Sequence, residues 1–239
     1  MERIAVFGAD AGVGTSMIAQ GISEILSKEC EQQILFVDAS DNLYDGYTGY
    51  TYSSVGIDMI GVRDTAQQAV YDVDGYKAIL GVRAGEQMKF SDDFFKTEIE
   101  DVLDQKYQFD RIIIDAGSNP RSSLCINALK YADRRVFVLR QNPKCVDKFK
   151  TMVEYIFTDQ NILRNSDSLY TGNDFVILNS ERNSGLLYTK SQLESMLITN
   201  MYTLPYIPNG MKCEYSRKPL AAESKKFKNA LFKIIKKEL

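Results

Sequence analysis

The stretch GADAGVGTSMIAQG, Gly8–Gly21, directly follows the apolar run IAVF and decides how the sequence is interpreted. Its glycines are spaced as in a phosphate-binding loop between a strand and a helix, where backbone N–H groups point at phosphate oxygens. Such a loop carries lysine at two positions, and here those positions hold Asp10 and Thr15. The pattern therefore keeps the backbone half of a phosphate site and lacks its cationic side chains.

The predicted phosphate contacts lie in the second half of this loop. Gly12 and Gly14 allow a tight turn, and Thr15 and Ser16 open the following helix, with Ser16 at the position of a magnesium-binding hydroxyl. Asp10 adds a negative charge that repels phosphate unless the carboxylate is turned away or paired. Because glycine-containing strand-to-helix turns are also common without any ligand, the loop alone leaves both alternatives open.

The composition is that of an ordinary globular protein, with 44% apolar and 26% charged residues among 239, and we expect one domain over residues 1–239. Four widely spaced cysteines form no CxxC pair, which favours a reduced, cytoplasmic chain without zinc or disulfides. The absence of histidine excludes His-based triads and His metal sites. No signal peptide and no bilayer-length apolar run is found, so we expect neither secretion nor membrane spanning.

Short β-branched runs alternate with longer segments of helical period, which predicts an α/β fold: a doubly wound, mostly parallel sheet with helices on both faces. The predicted strands are Arg3–Phe7, Gln33–Asp38, Lys77–Val82, Arg111–Asp115, Arg135–Arg140, Asp174–Asn179 and Tyr202–Ile207. The predicted helices are Ser16–Ser27, Asp92–Gln105, Ser122–Tyr131, Val146–Asn161, Lys190–Ile198 and Glu223–Leu239. The segment Asn42–Ser54 is predicted to be a loop near the binding edge of the sheet.

A carboxylate at the end of a buried strand raises the case for a phosphate site. The apolar run Arg111–Asp115 ends in Asp115, the usual place for an acid that helps to position magnesium opposite the loop. The alternative is that Asp115 caps the helix that follows.

In their order along the chain, these segments resemble the ParA/MinD superfamily of P-loop ATPases, whose deviant loop reads KGGxGK[ST] at the N-terminus. Laid on that pattern, DAGVGTS places Asp10 at the signature lysine, Thr15 at the second lysine and Ser16 at the magnesium-binding residue. FVDAS resembles the DxD segment of the family. Asp38 matches its first acid, and Ser40 stands where the water-positioning acid would be.

The later segments extend the resemblance over essentially the whole chain. Asp115 matches the Walker B acid, VILNSERN resembles the segment whose asparagine contacts adenine, and LPYIPN resembles the loop that closes over the base. The resemblance implies ATP or ADP with Mg²⁺ as the cofactor. It places the nucleotide on Ala11, Gly12, Val13, Gly14, Thr15, Ser16, Asn179 and Pro205, and the metal on Ser16, Asp38 and Asp115.

Within the superfamily, GVGTS is most similar to the CpaE/TadZ branch, which localises Flp-type (tight adherence) pilus machinery at the cell pole. That branch often carries an N-terminal receiver-like domain, for which this sequence has no segment. The resemblance implies a homodimer with ATP between its subunits and partners in pilus or secretion machinery. It also implies a cytoplasmic location, at the inner face of the membrane or at the cell pole.

The departures from the family pattern affect the expected chemistry. Phosphoryl transfer depends on positioning and charge stabilisation, so losing both loop lysines and the water-orienting acid predicts very slow ATP hydrolysis or none. Each missing charged hydrogen bond weakens binding by about 1.5–3 kcal/mol. A localisation or assembly scaffold is the favoured function. The alternative is an active ATPase in partitioning or in cell-pole or membrane positioning, with a substitute cation from Arg83, Arg121 or Arg140.

The segment Glu223–Leu239 is a basic amphipathic helix with six lysines and two glutamates. Its apolar stripe is formed by Phe227, Ala230, Leu231, Ile234 and Ile235. We favour packing of this stripe on the sheet. The alternative is peripheral membrane contact, in which each lysine near anionic lipid contributes roughly 1 kcal/mol. Nucleic acid is disfavoured as a partner because the chain has a net charge of −3 and no basic patch.

Overall fold

The computed structural model describes residues 1–40, 56–57, 60, 69–73, 75–81, 90–100, 108–159, 162, 173–181, 187–197, 200–208 and 219–239. Its strands are β1 (Glu2–Gly8), β2 (Ile34–Asp38), β3 (Val70–Val73), β4 (Tyr76–Ile79), β5 (Arg111–Asp115), β6 (Arg134–Leu139), β7 (Phe175–Glu181) and β8 (Met201–Pro205). They form one 8-stranded sheet in the order β3-β4-β2-β5-β1-β6-β7-β8. Only β3 runs antiparallel to its neighbour among these described strands, which confirms the predicted mostly parallel sheet.

The described helices are α1 (Thr15–Cys30), α2 (Ser123–Tyr131), α3 (Pro143–Met152), α4 (Lys190–Leu197), α5 (Leu220–Glu223) and α6 (Lys225–Glu238). Two π-helical turns, Phe95–Ile99 and Val153–Phe157, complete them, and the second continues α3. The central strands are buried on both faces, which explains why their sequences are apolar at consecutive positions.

The crossover connections run toward opposite edges of the sheet on the two sides of the boundary between β1 and β6. The chain leaves β1 through α1 toward β2 on one side, and it leaves β6 through α3 toward β7 on the other side. Since such crossovers are right-handed, the two helices lie on opposite faces of the sheet. The loops after β1 and β6 therefore diverge and open a crevice at the carboxyl edge, which is where α/β sheets of this type bind ligands.

Several predicted boundaries differ from the observed ones. The edge strand β3 has no predicted counterpart, because it is short and half-exposed and so lacks the apolar run of a buried strand. Helix α3 begins at Pro143 instead of Val146, because Asn142 caps it by accepting a hydrogen bond from the Cys145 amide at 2.8 Å.

The predicted C-terminal helix Glu223–Leu239 is α6 over Lys225–Glu238, whereas Glu223 is the last residue of the separate short helix α5. Ser224 leaves the helical conformation with φ −126° and ends α5, and its hydroxyl accepts a hydrogen bond from the Phe227 amide to start α6. The predicted loop Asn42–Ser54, residues 101–105 of a predicted helix and Arg83 lie outside the described residues.

The apolar stripe of α6 packs on α1 and β8, as favoured from the sequence. Phe227, Leu231, Ile234 and Ile235 are at most 5% exposed. The two helices approach closely at Gly21, where a Cβ atom would lie 2.9 Å from Leu231 Cδ2. The stripe is therefore not exposed for membrane contact in this structure, whereas the lysine face of α6 is exposed, and peripheral membrane contact stays a prediction.

None of the helices in the described ranges combines the length and the apolar composition that a bilayer-spanning helix needs.

The packing of α6 predicts that Leu231→Ala lowers the free energy of unfolding by about 2–5 kcal/mol, because it leaves a cavity between α6 and α1. Lys233→Ala, on the exposed face of the same helix, should change it by less than about 0.5 kcal/mol. Urea-induced unfolding measures both. Equal losses in the two variants would contradict the observed packing.

Candidate functional site

Backbone hydrogen bonds connect the start of the loop of residues 9–14 to the segments at the ends of the two strands beside β1. The Gly8 amide donates to the Gly117 carbonyl at 2.8 Å, and the Ala9 amide donates to the Val138 carbonyl at 2.9 Å. These bonds fix the start of the loop between the β5–α2 connection and β6. The loop therefore enters the crevice at the carboxyl edge of the sheet.

Thr15 occupies the position of the second lysine and lies under the loop. A Cβ atom on Gly8 would lie 2.1 Å from Thr15 Oγ1, so only glycine at position 8 leaves room for this side chain. Thr15 is 7% exposed. The second lysine position thus holds a small buried hydroxyl, which fills space below the loop and brings no charge to the crevice.

Gly14 is the N-cap of α1 and has a left-handed backbone with φ 98°. This conformation favours glycine, and a Cβ atom here would also lie 2.4 Å from Asn179 Nδ2. Gly12, with φ 70°, supplies the other left-handed residue of the turn. The predicted tight turn is present, and the helix that it starts has no side-chain cap on its N-terminus.

Asn179 holds the loop from the opposite side of the crevice. Its Nδ2 donates to the Val13 carbonyl at 2.7 Å, and both residues are 2% exposed. The residue lies at an irregularity in the pairing of β7 with β8, next to Ser180, whose φ is 61°. Such an irregularity re-aims side chains. The structure thus assigns the Asn179 amide group a contact within the protein, which the sequence did not reveal.

Asp10, at the position of the signature lysine, is paired. Its Oδ1 accepts hydrogen bonds from Lys148 Nζ of α3 and, at 2.9 Å, from the Ala11 amide. The hydrogen bond from Lys148 holds the pKa of the Asp10 carboxyl below its usual value. Two consequences follow. The carboxylate is neutralised from outside the loop, and the Ala11 amide, a predicted phosphate contact, is engaged with Asp10.

The predicted metal ligands Ser16 and Asp115 meet at the start of α1. The Gly117 amide donates a hydrogen bond to the Asp115 carboxylate at 3.0 Å, and the Ser16 hydroxyl lies beside the same carboxylate. Burial raises the pKa of this carboxyl, and the interactions with Ser16 and with the Gly117 amide oppose that shift. Asp115 is 1% exposed. A buried carboxylate beside a hydroxyl offers the hard oxygen ligands that Mg²⁺ prefers.

Asp38 lies beside Asp115, because the two residues pair in register at the ends of β2 and β5. Its Oδ1 accepts hydrogen bonds from the Ser40 hydroxyl at 2.6 Å and the Ser40 amide at 3.0 Å. Ser40, where the family would carry the water-positioning acid, is thus turned toward Asp38. Within the described ranges, no cluster of three or more Cys, Asp or Glu side chains is arranged to hold a metal.

A cavity of about 680 Å³ extends from the loop across the crevice, a size typical of small-molecule sites. Gly12, Gly14, Thr15 and Ser16 line one end, and Pro205 belongs to the other end. The remaining lining residues are Met17, Gly117, Ser118, Arg140, Gln141, Asn142, Asn179, Ser180, Leu187, Tyr206, Ile207, Pro208, Leu220 and Phe227. The predicted nucleotide contacts at both ends are therefore brought to one cavity, whereas Val13 is buried beneath the loop and Ala11 faces solvent.

Arg140 carries the only charged side chain among the described residues that line this cavity. Arg121, another arginine indicated by the sequence, is exposed in the connection after β5 and does not line the cavity. Sequence reasoning missed Lys148, because its contact with Asp10 spans 138 residues. It also missed the contribution of Phe227, whose place in the apolar stripe indicated only core packing, and of Leu220, which precedes the predicted C-terminal helix.

Solved structures resemble this fold over nearly its whole length, although no protein-family model and no curated protein matches the chain. The MinC:MinD cell division protein complex of Aquifex aeolicus has a TM-score of 0.78 at 14% identity, covering 100% of this chain and 97% of the other. McdA of Cyanothece, in complex with ATP, has a TM-score of 0.76 at 16% identity, covering 100% of this chain and 96% of the other. The septum site-determining protein MinD of Pyrococcus horikoshii, in complex with Mg-ADP, has a TM-score of 0.72 at 15% identity, covering 96% of this chain and 92% of the other.

These similarities show the fold. The sheet and its helices are those of the MinD and ParA P-loop ATPases, as the resemblance in the sequence implies. At identities this low, shared architecture does not carry the activity with it, so the function must be argued from the site itself.

The pair of Asp10 and Lys148 predicts that Lys148→Met raises the Asp10 carboxyl pKa toward its usual value. Since the pair lowers this pKa in the folded state, its stabilisation is present at neutral pH and is lost as the pH falls through the lowered value. The contribution is at most about 1 kcal/mol, because the pair is partly exposed. Carboxyl NMR titration measures the shift. Lys150→Met is the control, and an unchanged Asp10 pKa in Lys148→Met would contradict the pairing.

The contact between Asn179 and Val13 predicts that Asn179→Ala lowers the free energy of unfolding by about 1–3 kcal/mol, because the buried Val13 carbonyl loses its partner. Asn229→Ala, at an exposed position of α6, is the matched control and should have little effect. Urea-induced unfolding compares the two. If both variants are as stable as the parent protein, the loop does not depend on this hydrogen bond.

Proposed function

We propose that this protein binds ATP or ADP with Mg²⁺ in the crevice between β1 and β6 and acts as a nucleotide-dependent localisation or assembly scaffold. The observation that carries the proposal is the position of the Ser16 hydroxyl beside the buried Asp115 carboxylate at the start of α1. It joins a hydroxyl and a carboxylate beside a glycine turn and an uncapped helix N-terminus, which together form the elements of a magnesium–phosphate site.

The phosphates would lie at the loop end of the cavity. There, the backbone amides at the start of α1 and the positive end of the helix dipole favour negative charge. Asp10 does not oppose this, because Lys148 neutralises it. When bound, Mg²⁺ would shield the charge of the phosphates. Ser16 and Asp115 would hold it, with Asp38 at the adjoining strand end.

The base would lie at the opposite end of the cavity. Pro205 ends β8 there, Tyr206 and Pro208 follow it, and Leu187 approaches from the connection after β7. These side chains offer apolar surface to a flat ring. Asn179 also lines the cavity, but its Nδ2 is engaged with Val13. Its proposed contact with adenine would therefore use its carbonyl oxygen, which can accept a hydrogen bond.

The described site has little of what hydrolysis requires. The cavity lining includes no carboxylate among the described residues, and Ser40 is bonded to Asp38 instead of facing a reacting water. Both lysine positions of the loop lack a lysine. Because phosphoryl transfer depends on such groups for positioning and charge stabilisation, we infer very slow turnover or none. A bound nucleotide would then act as a lasting structural ligand.

The proposed output is a homodimer that recruits other proteins. In the resembling superfamily, ATP lies between two subunits, and one of the similar solved structures is a complex of MinC with MinD. The GVGTS sequence of the loop supports the more specific proposal that the partners belong to Flp/Tad-type pilus or secretion machinery. The place of action would then be the cytoplasm, at the cell pole or the inner face of the membrane.

A second function is favoured by one observation. Arg140 brings a cation into the cavity, and an active ATPase of the same superfamily, in partitioning or cell positioning, would need one. Phosphate release separates the two functions. An ATPase should turn over ATP and lose that turnover in Asp115→Asn, whereas the scaffold has little turnover to lose.

Calorimetry with ATP and ADP in the presence of Mg²⁺, together with the mass in solution with and without ATP, tests the proposal. We expect nucleotide binding and an ATP-dependent dimer, with little or no release of phosphate. Absence of binding at millimolar ATP would refute a nucleotide-binding function. Rapid phosphate release would instead establish the ATPase.

Two glycine variants provide the matched control. Gly14→Val should abolish ATP binding, because its backbone is left-handed and its side chain would collide with Asn179. Gly75→Val imposes similar backbone strain, with φ 99°, in the β3–β4 turn at the opposite edge of the sheet. It should leave the ATP affinity unchanged. Loss of binding in both variants would point to general destabilisation.

A further inference from the structure

We propose that Arg140 takes the place of the missing loop lysines as the cation that binds the phosphate groups of the ligand. This inference rests on the proposed function and deepens it, because it assigns the charge recognition of that site to the connection after β6 instead of the loop. Three observations carry it: the position of Arg140 in the sheet, its surroundings in the cavity, and the engagement of Asp10 with Lys148.

The position follows from strand register. Val138 of β6 pairs with Gly8 of β1, and the two strands run parallel. Arg140 and Asp10 each lie two residues beyond this pair. Arg140 is therefore level with Asp10, at the point where both segments leave the sheet. This point is the crevice between the diverging connections, and it is also the entrance of the phosphate loop.

The backbone around Arg140 is fixed. The Arg140 amide donates to Cys145 Sγ at 3.4 Å, across the turn into α3. The next residue, Gln141, is bonded to Tyr188 twice: its Nε2 donates to the Tyr188 carbonyl at 3.1 Å, and its own carbonyl accepts from the Tyr188 amide at 3.2 Å. Arg140 is exposed and lines the cavity from this anchored turn.

The charge of Arg140 is available. Asp10, the acid level with it, accepts a hydrogen bond from Lys148, and within the described part of the chain no carboxylate forms an ion pair with Arg140. The charge of Asp10 is thus already balanced by Lys148 beside the loop.

Arginine suits this role chemically. Its guanidinium presents several N–H donors in a fixed fork and remains charged at all relevant pH values, so it can bind two phosphate oxygens at once. The loop supplies only neutral backbone donors and the hydroxyl of Ser16. One charged contact added from the facing strand would supply the electrostatic attraction that the loop has lost.

The test uses three ligands that separate phosphate recognition from base recognition: ATP, adenosine and inorganic tripolyphosphate, each measured by calorimetry with Mg²⁺. Arg140→Ala should weaken binding of ATP and tripolyphosphate roughly 10- to 150-fold, the effect of losing one charged hydrogen bond. Binding of adenosine should not change. Arg140→Lys should restore part of the lost affinity.

Arg121→Ala is the matched control, because Arg121 also follows a strand end and is exposed, but does not line the cavity. It should bind all three ligands like the parent protein. Thermal unfolding of each variant without ligand checks that the fold is intact.

The outcomes separate this inference from the proposed function. If the parent binds ATP and Arg140→Ala binds it equally well, the inference is wrong and the nucleotide site stands. If Arg140→Ala weakens the binding of adenosine as strongly as the binding of ATP, Arg140 acts on the shape of the cavity and the inference is again wrong. If the parent binds tripolyphosphate through Arg140 but no ATP, phosphate recognition stands and the nucleotide function fails. If it binds neither, both are refuted.

Discussion

The close approach of Thr15 to Gly8 is the contact on which the site depends. The chain must leave β1, turn and enter α1 within a few residues, and it does so by placing the Thr15 hydroxyl where any Cβ atom at position 8 would lie. The turn holds no cationic side chain, because Asp10 and Thr15 stand at the two lysine positions of the loop. The same geometry brings Ser16 onto Asp115 and leaves the start of α1 open to the crevice.

Charge is distributed around this turn in an unusual way. The loop carries an acid, Asp10, and its counter-ion, Lys148, lies in α3, the helix that follows β6. A second cation, Arg140, lines the cavity from the β6–α3 connection. The positive charges beside the loop thus come from the β6–α3 connection and from α3. The backbone amides of the loop and the nearby cationic side chains can therefore belong to separate segments of the chain, which the pairing of β1 with β6 holds together.

The sequence was sufficient to predict the parallel sheet, because buried strands such as β5 are apolar at every central position and the glycine spacing marks the first turn. It could not reveal β3, since a half-exposed edge strand has no such pattern. Nor could it select Arg140 over Arg121, because both follow strand ends and only the strand order decides which one faces the crevice. The engagement of the Ala11 amide also depends on a side-chain conformation that sequence does not specify.

The cavity joins residues that are far apart along the chain. Gly12 lies at one end of it, and Leu220 and Phe227 contribute to its wall from helices that pack beside α1. Contacts of such high sequence separation form late in folding, since the chain must first close large loops. An intact binding site therefore reports that the sheet and the helices beside it have assembled. A ligand bound there would raise the stability of the whole assembly by mass action, and not that of the loop alone.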